Sequence, residues 1–224
     1  MFQADEHART WKTTGAGLGG IAFSVLTFVA VTVSNAPGGN YSASQVATYL
    51  SRGHRVAQIV VFHLALLGLL GLIVLLAQLR EAMGVDGNTR AGRIVWGAGV
   101  ASVASFAVGW GIIGGQVVAH LEGGSAISVS PALTYLISEL GVMFIFGCGA
   151  ILLGFALIVL MLNSRGILPA WLRWLTLVCG IAGVAGLAFF TFFVLLLWGI
   201  AMGVWLVLTG RHAAAGDLLA QPSV

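Results

Sequence analysis

Charge is what this chain most conspicuously lacks. Only 8% of its 224 residues are Asp, Glu, Lys or Arg, whereas a soluble domain carries about 25%. So few charged side chains cannot coat a surface facing water, and lipid is the solvent that fits. A content of 59% hydrophobic residues and a mean hydropathy of +1.03 say the same. A basic run is also missing. Of the ten cations all but Lys12 are arginines, and they are scattered without aromatic interleaving, which excludes nucleic acid as a partner. Neither cysteine lies in an exposed loop. Cys148 and Cys179 both fall inside apolar runs, so they read as small packing residues, with a disulfide or a metal pair as the alternative.

Absent too are H-E-x-x-H, G-x-S-x-G, Cys-x-x-Cys and any phosphate-binding loop, and with them the motif-based grounds for an enzyme, a cofactor or a metal. One literal match exists. Gly15-Ala16-Gly17-Leu18-Gly19-Gly20 fits G-x-G-x-x-G, but the dinucleotide fingerprint needs a strand before it and a βαβ unit around it. Here an apolar run follows, so the glycines read as a face where helix backbones approach closely.

What is present is a series of long apolar runs, at 15–33, 56–79, 94–118 and 135–162. About 20 residues at 1.5 Å rise cross the hydrocarbon core. From 171 to 209 another 39 residues show little polarity beyond Arg173. A single helix of that length would measure about 60 Å, twice the hydrocarbon thickness. The stretch therefore divides into spans at 171–188 and 190–209, with a tight turn near 187–191. The expectation is an all-α, six-transmembrane-helix bundle forming a single domain over residues 1–224.

The cations orient it. With six spans Arg9, Lys12, Arg80, Arg90, Arg93, Arg165, Arg173 and Arg211 fall on one side, and only Arg52 and Arg55 on the other. The positive-inside rule then puts both termini in the cytoplasm. Trp11, Trp96, Trp171 and Trp174 sit at the inner ends as interfacial anchors. Ser34-Asn35-Ala36 loosely resembles a signal cleavage site, but the preceding apolar stretch is too long for a signal-peptide core of about 7–15 residues. The first run reads as a retained helix.

The loops carry their own punctuation. Pro37-Gly38-Gly39-Asn40 breaks the first span, and Ser42 with Gln45 fits a capping box. Val46, Tyr49 and Leu50 then form an apolar stripe, giving a short interfacial helix packed on the bundle. Asn40-Tyr41-Ser42 matches a glycosylation acceptor, which matters only on a eukaryotic secretory route. Ser130-Pro131 is an N-cap followed by proline at the first helical position. On the inner side Gly166 reads as a helix stop and Pro169 as the start of the fifth helix. The loop between the second and third spans has about 14 residues and its counterpart near 189 almost none, so an inverted three-helix repeat is not supported.

Small residues recur on helical stripes in the later spans: Ala98, Ser102, Ser105 and Gly109; Gly147, Ala150 and Gly154; Gly180, Gly183 and Gly186; Gly199 and Gly203. Such stripes mark tight helix contact or oligomer faces. Ionisable groups inside a bilayer are expensive and are functional candidates by default. Glu139 lies about one turn into the fourth span, and at 100° per residue it falls near the direction of Ala150, toward other helices. His63, two turns into the second span, has no clear direction. Gln116 and His120, at i and i+4, continue the small stripe of the third span. His63, Gln116, His120 and Glu139 are thus expected around a shallow outward-facing polar cavity, with Glu139 as acceptor or proton-titrating group. A cross-helix hydrogen bond holding the fourth span in register is the plainer reading of Glu139. Metal binding through His63, His120 and Glu139 is the third, and membrane haem is disfavoured because the two histidines differ in depth by about 9 Å.

The segment 42–50, Leu79-Arg80, and Leu168-Pro169-Ala170-Trp171-Leu172-Arg173-Trp174 resemble a loosely defined group of actinobacterial six-helix membrane proteins of unknown function. That resemblance implies the fold and a plasma-membrane location, and supplies no active-site residues. The expected role is non-catalytic binding, as an accessory or interaction subunit or a small-ligand or lipid binder. The expected partners are the lipid bilayer and a homo-oligomer or partner membrane protein. A small oligomeric transporter or channel with Glu139 titrating on its pathway is the alternative, and a membrane redox protein or enzyme with an unadvertised cofactor the third.

Overall fold

The computed structural model describes the backbone of residues 2–34, 36, 42–49, 52–123, 130–185 and 189–219. The chain is helical: α1 (Phe2–Val33), α2 (Ala43–Tyr49), α3 (Arg52–Val85), α4 (Thr89–Gly123), α5 (Pro131–Val142), a π-helix (Met143–Gly149), α6 (Ala150–Asn163), α7 (Ala170–Val184) and α8 (Phe189–Leu219). No strand occurs among the described residues. Among the described residues five stretches are long and apolar enough to cross a membrane: Thr13–Val33, Arg55–Val85, Thr89–Ala119, Pro131–Asn163 and Phe192–Gly210. The sixth apolar helix, α7, is shorter at 15 residues, about 22 Å of rise.

Contacts run α1–α3–α4–α6–α7–α8 and back from α8 to α1, closing the helices into a ring. Aromatic rings fill its middle. Phe106 meets Phe23 at 6.5 Å and Phe192 at 5.8 Å, and Phe192 meets Phe146 edge-on at 4.8 Å. Leu72, Leu75, Leu76, Leu153 and Leu157 are fully buried around them.

Glycine sets how closely the helices approach. A Cβ on Gly19 would lie 2.6 Å from the carbonyl oxygen of Gly71, so α1 and α3 touch backbone to backbone. Gly17 and Gly20 stand in the same relation to Gly203 and Gly199 of α8. The G-x-G-x-x-G run therefore serves two neighbours at once, while its first glycine, Gly15, faces open space. Gly154 meets Gly180 and Gly183 in the same way, joining α6 to α7.

The connections are tighter than the hydropathy suggests. The inner loop expected to take about 14 residues is a turn over 86–88, because α3 and α4 continue past their apolar runs. Gly87 adopts φ +82°, and the bonds Asn88 N–H to Met83 O (2.9 Å) and Gly87 N–H to Gly84 O (3.2 Å) close a Schellman cap. Asn88 Nδ2 then donates to Asn163 O at 3.1 Å, tying this turn to the end of α6. The break between α7 and α8 comes earlier than expected: α7 ends at Val184 and α8 already contains Phe189, Phe190 and Thr191. Residues 186–188 lie outside the described residues. Ser42 and Gln45 form the expected reciprocal cap, Ser42 N–H to Gln45 Oε1 at 2.8 Å and Gln45 N–H to Ser42 Oγ at 3.4 Å. The helix they start, α2, buries Val46 and Tyr49 and packs on α5 and α3; Leu50 lies outside the described residues. Ser130 caps α5, its Oγ accepting from Leu133 N–H at 3.2 Å.

Candidate functional site

The end of the bundle that carries α2 holds most of the polar residues that lipid should make costly. Buried Gln116 of α4 donates from Nε2 to the Oγ of Ser138 in α5, at 3.0 Å. Glu139 follows directly in the chain. It is half-buried, and its carboxylate pairs with the Tyr135 side chain one turn earlier. Because α5 starts at Pro131, Glu139 sits two turns inside its helix, about 12 Å along it.

Two further residues at this end escaped the sequence. Gln58 is 3% exposed and Ser34 5%, yet Gln58 Nε2 and Ser34 Oγ have no hydrogen-bond partner among the described residues. The antiparallel register set by Gly19 against Gly71 and Gly68 against Thr27 carries Ser34 to the level of Gln58. A buried polar group without a partner costs about 1–3 kcal/mol. The only signal in the sequence was an amide two residues into an apolar run, which is also what an interfacial glutamine looks like.

The other expected members stand apart. His63 is exposed on the outer side of α3; its Nδ1 bonds to Ile59 O of its own helix at 2.7 Å and its ring abuts Phe62. The side chain of His120 lies outside the described residues. Of the four residues expected around one cavity, Gln116 and Glu139 therefore lie on contacting helices, and His63 is turned outward. Among the described residues no three His, Cys, Asp or Glu side chains cluster as metal ligands. Cys148 is exposed and Cys179 buried, both as free thiols; the Cys179 thiol donates to Val194 O at 3.3 Å.

One turn beyond Glu139 the helix changes pitch. The π-helix Met143–Gly149 has carbonyls that α4 reaches: Ser102 Oγ donates to Gly149 O at 2.7 Å and Ser105 Oγ to Phe144 O at 3.0 Å. The small stripe of α4 thus has two jobs. Gly109 lets the backbone of Gly141 approach, and the serines hold an irregular segment that i→i+4 bonding would otherwise replace. This segment also breaks the phase relation between Glu139 and Ala150 that a uniform 100° step assumes.

The Gln116–Ser138 bond has a measurable worth. Interhelical hydrogen bonds in membranes average about 0.6 kcal/mol and reach about 1.7. Gln116→Leu is therefore expected to lower stability in an SDS unfolding titration by no more than about 1.7 kcal/mol. The Ser138 hydroxyl can then turn to a carbonyl one turn back in its own helix. A loss of several kcal/mol would show that Gln116 does more than link α4 to α5. The chain matches no known protein-family model, curated protein or solved structure.

Proposed function

We propose that this protein acts by binding and not by catalysis, as an accessory or interaction subunit or as a binder of a small polar or amphiphilic ligand at the α2 end of the bundle. The observation that carries the reading is the pair of buried groups, Gln58 Nε2 and Ser34 Oγ, that find no hydrogen-bond partner among the described residues. They lie at the same end as the half-buried carboxylate of Glu139. Preformed polar groups in a low-dielectric setting are what a small polar ligand would complete. We further propose six spans, with α7 as the fifth, both termini in the cytoplasm, and the plasma membrane of a bacterium as location. Two observations support that topology. The turns 86–88 and 164–169 meet at one end, where Asp86 lies against Gly166. Arg80 and Arg93 belong to that end, and Arg55 to the other end of α3.

Native mass spectrometry of protein gently released from membranes tests the binding role, because it reads bound mass and oligomeric state together. The expected result is a defined retained mass or a fixed hetero-oligomer. For a retained ligand, Glu139→Gln and Gln58→Leu should each lose the mass. Gln58→Leu should also raise the unfolding midpoint, since it removes a buried N–H group with no partner among the described residues. A bare monomer shedding only random lipid would sink the ligand role and leave only a partner-dependent subunit.

The second reading is a small oligomeric transporter or channel, and one observation favours it: the π-helix lies one turn from Glu139 in the same span. Irregular backbone near a titratable group at membrane depth is a transporter trait. Proton flux into liposomes that Glu139→Gln abolishes would replace the binding role with this one.

A further inference from the structure

We propose that the groove between α3 and α4, at the end opposite Glu139, holds the phosphate of an anionic membrane lipid, with one acyl chain lying along the two helices beyond it. The groove has a volume of about 520 Å³, and its polar lining is Arg80, Glu81, Thr89 and Arg93, with Trp96 and Ala77 beside them. Both arginines are exposed. Guanidinium forks match phosphate oxygens in pairs, and two of them outweigh the one opposing carboxylate of Glu81. Arg80 is already positioned, its guanidinium 5.8 Å from the centre of the Trp96 ring. Thr89, the first residue of α4, adds a hydroxyl to the same lining.

A free phosphate would need only that much. The groove offers more, and the order of its residues is that of a lipid. On α3, Glu81, Ala77, Val74 and Leu70 follow at steps of four, three and four, and so share one face. On α4, Thr89, Arg93, Trp96 and Val100 do the same. Contacts of Gly92 with Arg80 and Met83, and of Gly99 with Leu76, set these faces side by side. Charge occupies the helix ends. Toward the middle of the helices the stripes become apolar and remain uncovered, with Val74 49%, Leu70 58% and Val100 38% exposed. Gly97, Ala101 and Ala104 lie exposed beside the α4 stripe, and Gly97 faces open space, which leaves a shallow trough for a chain. A basic pocket between spanning helices at headgroup level is a known form of lipid recognition. The inference needs only that α3 and α4 span the bilayer. It does not depend on Glu139 or on which side is cytoplasmic, so either site can fail without the other.

The test uses the full chain in phosphatidylcholine nanodiscs containing a minor fraction of phosphatidylglycerol, with retained lipids counted by native mass spectrometry. The wild type is expected to keep phosphatidylglycerol in preference to phosphatidylcholine. Arg80→Gln and Arg93→Gln should each weaken that retention about five-fold, and the double variant about twenty-five-fold, at the usual worth of one basic residue near a membrane surface. Glu81→Gln should strengthen it, a gain that misfolding does not produce. Excess inorganic phosphate should leave the lipid in place. Equal retention by the double variant, or no headgroup preference, would overturn the site. Displacement by inorganic phosphate alone would make it a site for soluble anions and overturn the lipid assignment.

Discussion

Replacing Gly154 by leucine is expected to destabilise the bundle by about 3 kcal/mol, at the upper end of what overpacking costs. The reason is what a side chain would meet. A Cβ at Gly154 would lie 2.6 Å from Gly180 O, 2.6 Å from Val184 N and 2.8 Å from Gly183 C. These are backbone atoms of α7 and have no rotamer to change. The helices must separate, and the separation removes van der Waals contact along the whole α6–α7 seam, which is the main attraction between helices in lipid. Gly97→Leu is the control. No atom lies within 4 Å of a Cβ there, so a lipid-facing leucine should stay within about 0.5 kcal/mol of wild type. SDS titration followed by tryptophan fluorescence reads both variants. If Gly154→Leu unfolds like the wild type, the close approach of α6 to α7 is not part of the folded protein.

The Gly154 stripe was legible in the sequence because its cause is local: small residues at helical spacing let helix backbones approach closely in lipid. The capping pair Ser42–Gln45 and the Ser130–Pro131 start were legible for the same reason, since each is a bond between near neighbours. Helix ends were not. Hydropathy marks where lipid ends, whereas α3 and α4 continue until the Gly87 cap, so residues 80–93 read as loop although most are helical. The π-helix was hidden more deeply. Met143-Phe144-Ile145-Phe146-Gly147-Cys148-Gly149 contains nothing that marks a change of pitch, and the bonds that hold it come from Ser102 and Ser105, some forty residues earlier. The candidate site divides along the same line. Gln116 was found as a polar residue on a small stripe. Its partner Ser138, and the burial of Ser34 and Gln58, depend on which helices touch and in what register. His63 was ambiguous because α3 carries its contact glycines, Gly68 and Gly71, inside a run of leucines.

The α7–α8 contact allows packing and hydrogen bonding to be separated at one residue. Trp198 is fully buried, and its Nε1 donates to Thr176 Oγ1 at 3.0 Å, while the Thr176 hydroxyl donates to Leu172 O at 2.7 Å. Truncating a buried tryptophan to alanine costs about 3–5 kcal/mol in a water-soluble core. Part of that is transfer from water, which falls away here because the separated helices remain in lipid. The cavity part remains, so Trp198→Ala is expected to cost about 3 kcal/mol. Trp198→Phe keeps most of the volume and removes the bond, and should cost about 1 kcal/mol. Thr176→Val keeps the shape and leaves the indole N–H unpaired, with a loss of similar size. The double variant Trp198→Phe, Thr176→Val should then lose less than the sum, by a coupling of about 0.6–1.7 kcal/mol. Unfolding midpoints of the wild type and the four variants decide it. If Phe were as damaging as Ala, the hydrogen bond and not the packing would hold α7 against α8.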